Sequence, residues 1–158
     1  FEWNNSPIVY KTTPEWNHVR TLINNYFSSK AGLYHYLNTA SGNYREYLKG
    51  ETVKLKKYFY VVRPILACKW ILDKQSPPPM LFSDLVEAEL ESEIQPVIAK
   101  LLKLKTETPE ISEGPRINIL NRYIEEQMAE IKSKIDQIPT IPDPGWESLD
   151  SLFLTLLN

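Results

Sequence analysis

The stretch KLKKYFYVVRPILACKW, residues 54–70, constrains this chain more than any other. From Tyr58 to Leu72 nearly every position is apolar. A helix built from it is apolar almost all round, which places it at the centre of a helical domain. Yet the segment opens with Lys54, Lys56 and Lys57, carries Arg63 in its middle and Lys69 near its end. Buried charge is costly unless it is paired or hydrogen-bonded. The segment therefore calls for either an internal carboxylate or an external anion. Pro64 removes a backbone donor in mid-helix, which frees the Tyr60 carbonyl one turn earlier and bends the axis.

The rest of the chain also reads as helix. Its 158 residues suffice for one domain with a real core. Thr13 and Pro14 open a first helix with Val19, Leu22, Ile23 and Tyr26 at helical spacing. Leu33, Leu37, Ala40, Tyr44 and Leu48 form the stripe of a second, with Tyr36 and Tyr47 at its edge and Gly50 as its stop. The third runs from about Val53 to Asp73 and ends before the stiff SPPPM. Short helices follow from Ser83 and over SEIQPVIAKLLKLK, where Pro96 falls in the tolerant first turn. KTETPEISEG reads as an exposed loop and PTIPDPG as a linker. Between them lies a helix that starts at Pro115, with Ile117, Leu120, Ile124, Met128, Ile131 and Ile135 in phase. WESLDSLFLTLLN closes the chain as an amphipathic helix. The only extended piece in view is PIVY. The fold class expected is all-α, an irregular helical bundle forming one domain over 1–158. Residues 1–75 supply cleft helices, 83–105 and 115–138 packing helices, and 146–158 the terminal helix.

Several function classes fall away on composition. The net charge is −2, so any contact with nucleic acid or nucleotide needs a local basic patch. No apolar stretch is long enough to cross a bilayer. There is neither a signal peptide nor an initiator methionine, so a fragment, or a chain whose front is disordered, is expected. The lone Cys68 reads as core filler and suits a reducing cytoplasm. There is no glycine-rich phosphate loop, no zinc-ligand spacing and no nucleophile elbow. His18 and His35 stand alone.

Two constellations remain. Lys56, Tyr60 and Arg63 follow spacings of four and three and share one face of the central helix, flanked by Lys57 and Tyr58. They line a cleft for phosphate, or Arg63 pairs with a carboxylate or with helix-end carbonyls inside the fold. On the second helix Tyr34, Asn38, Ser41 and Arg45 each offer a hydrogen-bond donor opposite the apolar stripe. They form either a solvated face or a second wall of the same cleft, with tyrosines available for stacking on a base.

Three blocks, FEWNNSPIVY, LYHYLNTASGNYREYLKGETVKLKKYFYVVRPILACKWI and PPPMLFSDLVEAEL, resemble the RlaP-type predicted nucleotidyltransferases of bacteria and phages. That family is associated with RNA repair and placed in the DNA polymerase β-like superfamily. The likeness is dense to about Leu90 and thinner beyond. It implies an N-terminal α/β core with a Gly-Ser turn and an Asp-x-Asp pair that hold divalent metal, Mg or Mn, on a triphosphate. No such motif occurs in these 158 residues. The resemblance thus implies the helical part that follows the core, inactive on its own. In it Lys56, Lys57 and Arg63 would face a nucleoside triphosphate or RNA phosphate, with Tyr34, Asn38 and Arg45 on the neighbouring helix. A non-catalytic helical interaction module is the alternative, with the C-terminal helix contacting a protein partner through Trp146, Leu149, Leu152, Phe153 and Leu156.

Overall fold

The computed structural model describes residues 1–107, 113–140, 142 and 144–157. A single 3₁₀ turn, Glu2–Asn5, precedes α1 (Pro14–Asn25), α2 (Ser29–Tyr47), β1 (Thr52–Lys54) and α3 (Lys57–Lys74). Then come α4 (Phe82–Glu89), α5 (Gln95–Glu107), β2 (Glu113–Pro115), α6 (Asn118–Ile135) and α7 (Glu147–Leu156). The class is all-α, with one small two-stranded sheet among the described residues.

α3 is the central helix. Tyr58, Val61, Val62, Ile65, Leu66, Ala67, Cys68 and Ile71 are all fully buried along it, and it packs on α2, α4 and α6. α2 begins where the Ser28 hydroxyl accepts from the Ala31 amide at 3.3 Å, satisfying one of the free amides of a first turn. It buries the expected stripe of Leu33, Leu37, Ala40 and Tyr44, with Leu48 buried at its C-cap. Gly32 faces this seam. A Cβ there would lie 3.2 Å from Ile71 Cδ1 and 3.4 Å from the Phe27 ring, so glycine lets α2 approach α3 closely. Cys68 is buried filler, as its setting suggested, and burial pushes its thiol up to about 12.

The central helix starts later than its hydrophobic pattern implies. Val53 is not its first residue but the buried centre of β1, paired with Gly114 of β2 in an antiparallel ladder. A three-residue strand buries one side chain of three, a pattern that helical periodicity also accommodates. Lys54 lies across from Glu113 in that ladder, an opposite-charge pair. Pro115 likewise closes β2 rather than opening α6, which begins at Asn118. A proline fits there because the sheet has only two strands and both are edges. Residues 108–112 of the expected loop, and Ile141 and Asp143 of the expected linker, lie outside the described residues.

Two polar knots fasten the helices. In the first, the buried Tyr58 hydroxyl donates to Asn121 Oδ1 at 2.6 Å and accepts from the Ile117 amide at 2.9 Å. Asn121 Nδ2 donates to the Leu48 carbonyl at 2.8 Å, and the Tyr44 hydroxyl donates to Glu125. The end of α2, the start of α3 and the start of α6 are thereby joined. In the second, Lys69 donates to Glu91 Oε1 at 2.6 Å, and Tyr123 donates to Glu91 Oε2 at 2.6 Å. α1 and α7 bury no residue fully and pack on each other. Tyr26 donates to the Gly145 carbonyl at 2.8 Å, and Lys30 to the Ile138 carbonyl at 3.3 Å, tying the C-terminal segment to the start of α2. No helix among the described residues is long and apolar enough to cross a membrane.

These knots give two tests. Asn121→Ala strands the Leu48 carbonyl and the Tyr58 hydroxyl in the core, so urea unfolding will show a loss of about 2–3 kcal/mol. Tyr58→Phe keeps the ring, and its loss will be smaller. The second test is pH dependence. Burial alone would raise the Glu91 carboxyl, but hydrogen bonds from Lys69 and Tyr123 outweigh it and hold its pKa below the ordinary 4.5. Glu91 therefore contributes stability above that value and loses it as pH falls through the lower folded value. Thermal melts of Glu91→Gln will lie below wild type at neutral pH and meet it in acid. Glu89 is raised, by burial and then by Asp73. Its sign is opposite, and Glu89→Gln will melt above wild type at neutral pH.

Candidate functional site

A cavity of about 1020 Å³ opens beside α3. One wall is the α2 edge bearing Ser28, Gly32, His35, Tyr36 and Thr39. Another is the Phe59, Tyr60, Arg63 and Pro64 face of α3. Phe82 from α4, Leu102 and Lys105 from α5, and Phe1 and Glu2 complete it, with Tyr26 and Phe27 from the end of α1. Seven of the seventeen lining residues are Phe or Tyr. Phe59 and Phe82 meet edge to face with centroids 5.8 Å apart, as do Phe1 and Phe27 at 5.2 Å. Lys105 Nζ lies 5.5 Å from the Phe59 centroid. An apolar hollow with a few polar groups converging on it is the usual form of a small-molecule site.

Arg63 has its partner. Its Nη2 lies 3.1 Å from Glu2 Oε2, with the two side chains 29% and 25% exposed. The Tyr36 hydroxyl donates to the other oxygen of the same carboxylate, Glu2 Oε1, at 2.5 Å. Burial first, and then the Glu2 carboxylate, hold the Tyr36 hydroxyl far above its ordinary pKa. It is a donor, never an anion, at physiological pH.

The structure divides the six residues picked from the sequence. Arg63 lines the cavity. Lys57 reaches its rim through Tyr60: the ammonium lies 4.8 Å from the Tyr60 centroid and 3.7 Å from that of Tyr47. Lys56 is exposed at the N-cap position of α3. Among the described residues neither Lys56 nor Lys57 enters an ion pair. Tyr34, Asn38 and Arg45 are exposed along a different edge of α2. There Tyr34 reaches Asp136 at 3.5 Å and Ser41 reaches Met128 of α6 at 3.5 Å. They do not line this cavity. The reason is helical phase. Tyr34 and Tyr36 are about 200° apart around the axis, so only one of them can look toward Arg63.

Glu2 and Lys105 escaped the sequence reading, and Phe59 stood out only as a position on the apolar face of the central helix. Glu2 and Arg63 are 61 positions apart, and nothing in the local pattern links them. Tyr36 left a trace as a polar-tipped residue at the edge of an apolar stripe. Among the described residues the divalent metal that the resemblance implies finds no fitting group of side chains. Among the described residues no three His, Cys, Asp or Glu side chains are placed to hold an ion. Around a second hollow of about 320 Å³, Lys69, Asp73 and Lys134 pair with Glu91, Lys74 and Glu130 respectively, and Glu89 enters no ion pair among the described residues.

Comparison with known proteins agrees with the family resemblance. The uncharacterized protein YcgL of Bacillus subtilis (strain 168) is 41% identical over 161 residues, covering 99% of this chain and 61% of that protein. The chain thus spans less than two thirds of the length of the curated relative it matches. No solved structure matches significantly. The sequence model of the family described as "RlaP: RNA repair pathway DNA polymerase beta family" matches residues 1–155. Matched over essentially its whole length, this chain belongs to the RlaP family.

Proposed function

We propose that this chain is the helical, nucleotide- or RNA-phosphate-contacting part of a nucleotidyltransferase. The carboxylates that hold Mg²⁺ or Mn²⁺ lie outside these 158 residues, and the chain alone is inactive. The observation that carries this reading is the placement of positive charge in a member of this family. Lys56 and Lys57 stand at the N-terminus of α3 with no acidic residue in its first turn. The helix dipole is already positive there, so lysines are unfavourable unless an anion comes to them. Lys57 rests on two tyrosine faces, which orient its charge without neutralising it. Two turns along α3, Arg63 presents a planar fork suited to phosphate oxygens. Phe59, Tyr60 and Phe27 offer faces against which a base can lie. Arg45, Asn38 and Tyr34, on the other edge of α2, are weaker candidates suited to an RNA strand passing over the surface. The buried, reduced Cys68 is compatible with work in the cytoplasm.

A second reading has two observations in its favour, the first being that Arg63 is already paired with an internal carboxylate, Glu2. The second is that α7 leaves Trp146, Phe153 and Leu154 at least 60% exposed, the kind of face that docks on a protein. In that reading the helical domain is an interaction module and the cavity has no nucleotide to hold.

Nucleotide binding by the full-length protein separates the two. Arg63→Ala will weaken ATP binding by about 1.5–3 kcal/mol, roughly ten- to hundredfold. Arg63→Lys will recover only part of that, because it keeps the charge and loses the fork. Unchanged affinity in both variants would reject the nucleotide reading. The 158-residue chain, given labelled NTPs, Mg²⁺ or Mn²⁺ and an RNA acceptor, will show no incorporation above background.

A further inference from the structure

Resting on the nucleotide reading, we propose that Arg63 and Tyr36 form an oxyanion site whose resident is the chain's own Glu2. A phosphate group of an aromatic nucleotide enters by displacing that carboxylate. Glu2 is then a built-in competitor, and the Glu2–Asn5 turn is the element that must move for a phosphate to reach Arg63 and Tyr36.

Three observations converge. The first is chemical. Two donors, the Arg63 guanidinium and the Tyr36 hydroxyl, grip the two oxygens of one carboxylate at 3.1 and 2.5 Å. This arrangement suits any oxyanion, phosphate as well as carboxylate. The second is electrostatic. Among the described residues that line the cavity Glu2 is the only acidic one, against Arg63 and Lys105. With Glu2 seated, a phosphate approaching Arg63 meets a negative charge at contact distance. With Glu2 displaced it meets two free donors and a net positive wall. Exchanging one oxyanion for another keeps the same set of charge-assisted hydrogen bonds, so the swap is nearly balanced in energy. That balance is the condition for a switch. The third is mechanical. Glu2 sits in a single 3₁₀ turn, seated through the Phe1–Phe27 ring contact and the Glu2 carboxylate. Asn4 Oδ1 in the same turn is buried with no hydrogen-bond partner among the described residues, so the seated turn leaves it unsatisfied there. Unseating it relieves that group. The receptor side, by contrast, is rigid. Arg63 extends from the central helix beside the buried Pro64, and Tyr36 stands on α2, which shares its longest seam with α3.

The competition sets a direction. A ligand that binds only when Glu2 has left has its affinity reduced by the fraction of molecules in the seated state. Removing the charge of Glu2 removes that reduction.

The test is calorimetric titration of the full-length protein with ATP, inorganic pyrophosphate and adenosine. Wild type, Glu2→Gln, Glu2→Asp, Arg63→Ala and the Glu2→Gln/Arg63→Ala double variant are compared, each first shown to be folded by a thermal melt. Glu2→Gln keeps the shape of the side chain and will tighten ATP and pyrophosphate by about five- to tenfold. Adenosine, which carries no phosphate, will bind Glu2→Gln and wild type alike. Glu2→Asp keeps the charge on a shorter arm and will fall between wild type and Glu2→Gln. The double variant will lose the gain. If Arg63→Ala weakens ATP but Glu2→Gln leaves it unchanged or weaker, the competitor role is overturned while the nucleotide reading stands. If Glu2→Gln tightens adenosine as much as ATP, the gain is not anion competition and the proposal falls. If neither variant changes ATP affinity, both this proposal and the nucleotide reading are rejected.

Discussion

The Tyr58 hydroxyl is fully enclosed, with the Ile117 amide donating to it and Asn121 Oδ1 accepting from it. Through Asn121 the same knot takes up the Leu48 carbonyl, where α2 ends. Backbone groups at helix ends lack partners within their own helix and are costly to bury unsatisfied. Here the ends of α2 and α6 meet beside the start of α3, and one tyrosine and one asparagine satisfy both. The register of three helices follows from that. It fixes which edge of α2 faces α3 beyond the knot, and hence which residues border the cavity.

The position of the sheet depends on the same place. β1 and β2 close on each other just before α3 and α6 begin, and the Arg116 amide donates to the Glu51 carbonyl at 2.8 Å to extend the ladder. With Val53 drawn into the core as the strand's inward residue, α3 starts at Lys57. That start leaves Lys56 and Lys57 at the positive end of a helix dipole instead of inside a longer helix. A small structural detail thereby becomes an electrostatic one. Charge unfavourable for the isolated helix is placed next to aromatic faces and a cavity, where an anionic ligand would offset it.

The charges inside the apolar segment have two different solutions. Lys69 is satisfied internally by Glu91 and the Glu89 carbonyl, a tie that also holds Tyr123 of α6. Arg63 is satisfied by a residue from a separate turn, in a partly buried position at the wall of a large cavity. Both contacts are ion pairs, but their settings differ. The first ties α3 and α6 to Glu91 in the connection that follows α4, and the second bridges α2 and α3 to a short turn at a cavity wall. That difference, rather than the presence of charge, singles out Arg63 as the functional candidate.

What the sequence determined by itself was whatever repeats along one element. The stripe of Leu33, Leu37, Ala40 and Tyr44 showed the buried face of α2. The unbroken apolar run from Tyr58 showed the central helix. Cys68 was legible as filler, and the family through the order of its motifs. These are local because helical period is local, and burial follows from it. The sequence misjudged the start of α3 and the place of Pro115, because a strand of three residues is defined by its partner some sixty positions away and not by its own pattern. Only tertiary structure decided the site. It chose Tyr36 over Tyr34 by rotating α2 against α3, brought Lys105 across from α5, and set Glu2 on Arg63. Such contacts depend on how separate helices pack in three dimensions, which no spacing along one helix encodes.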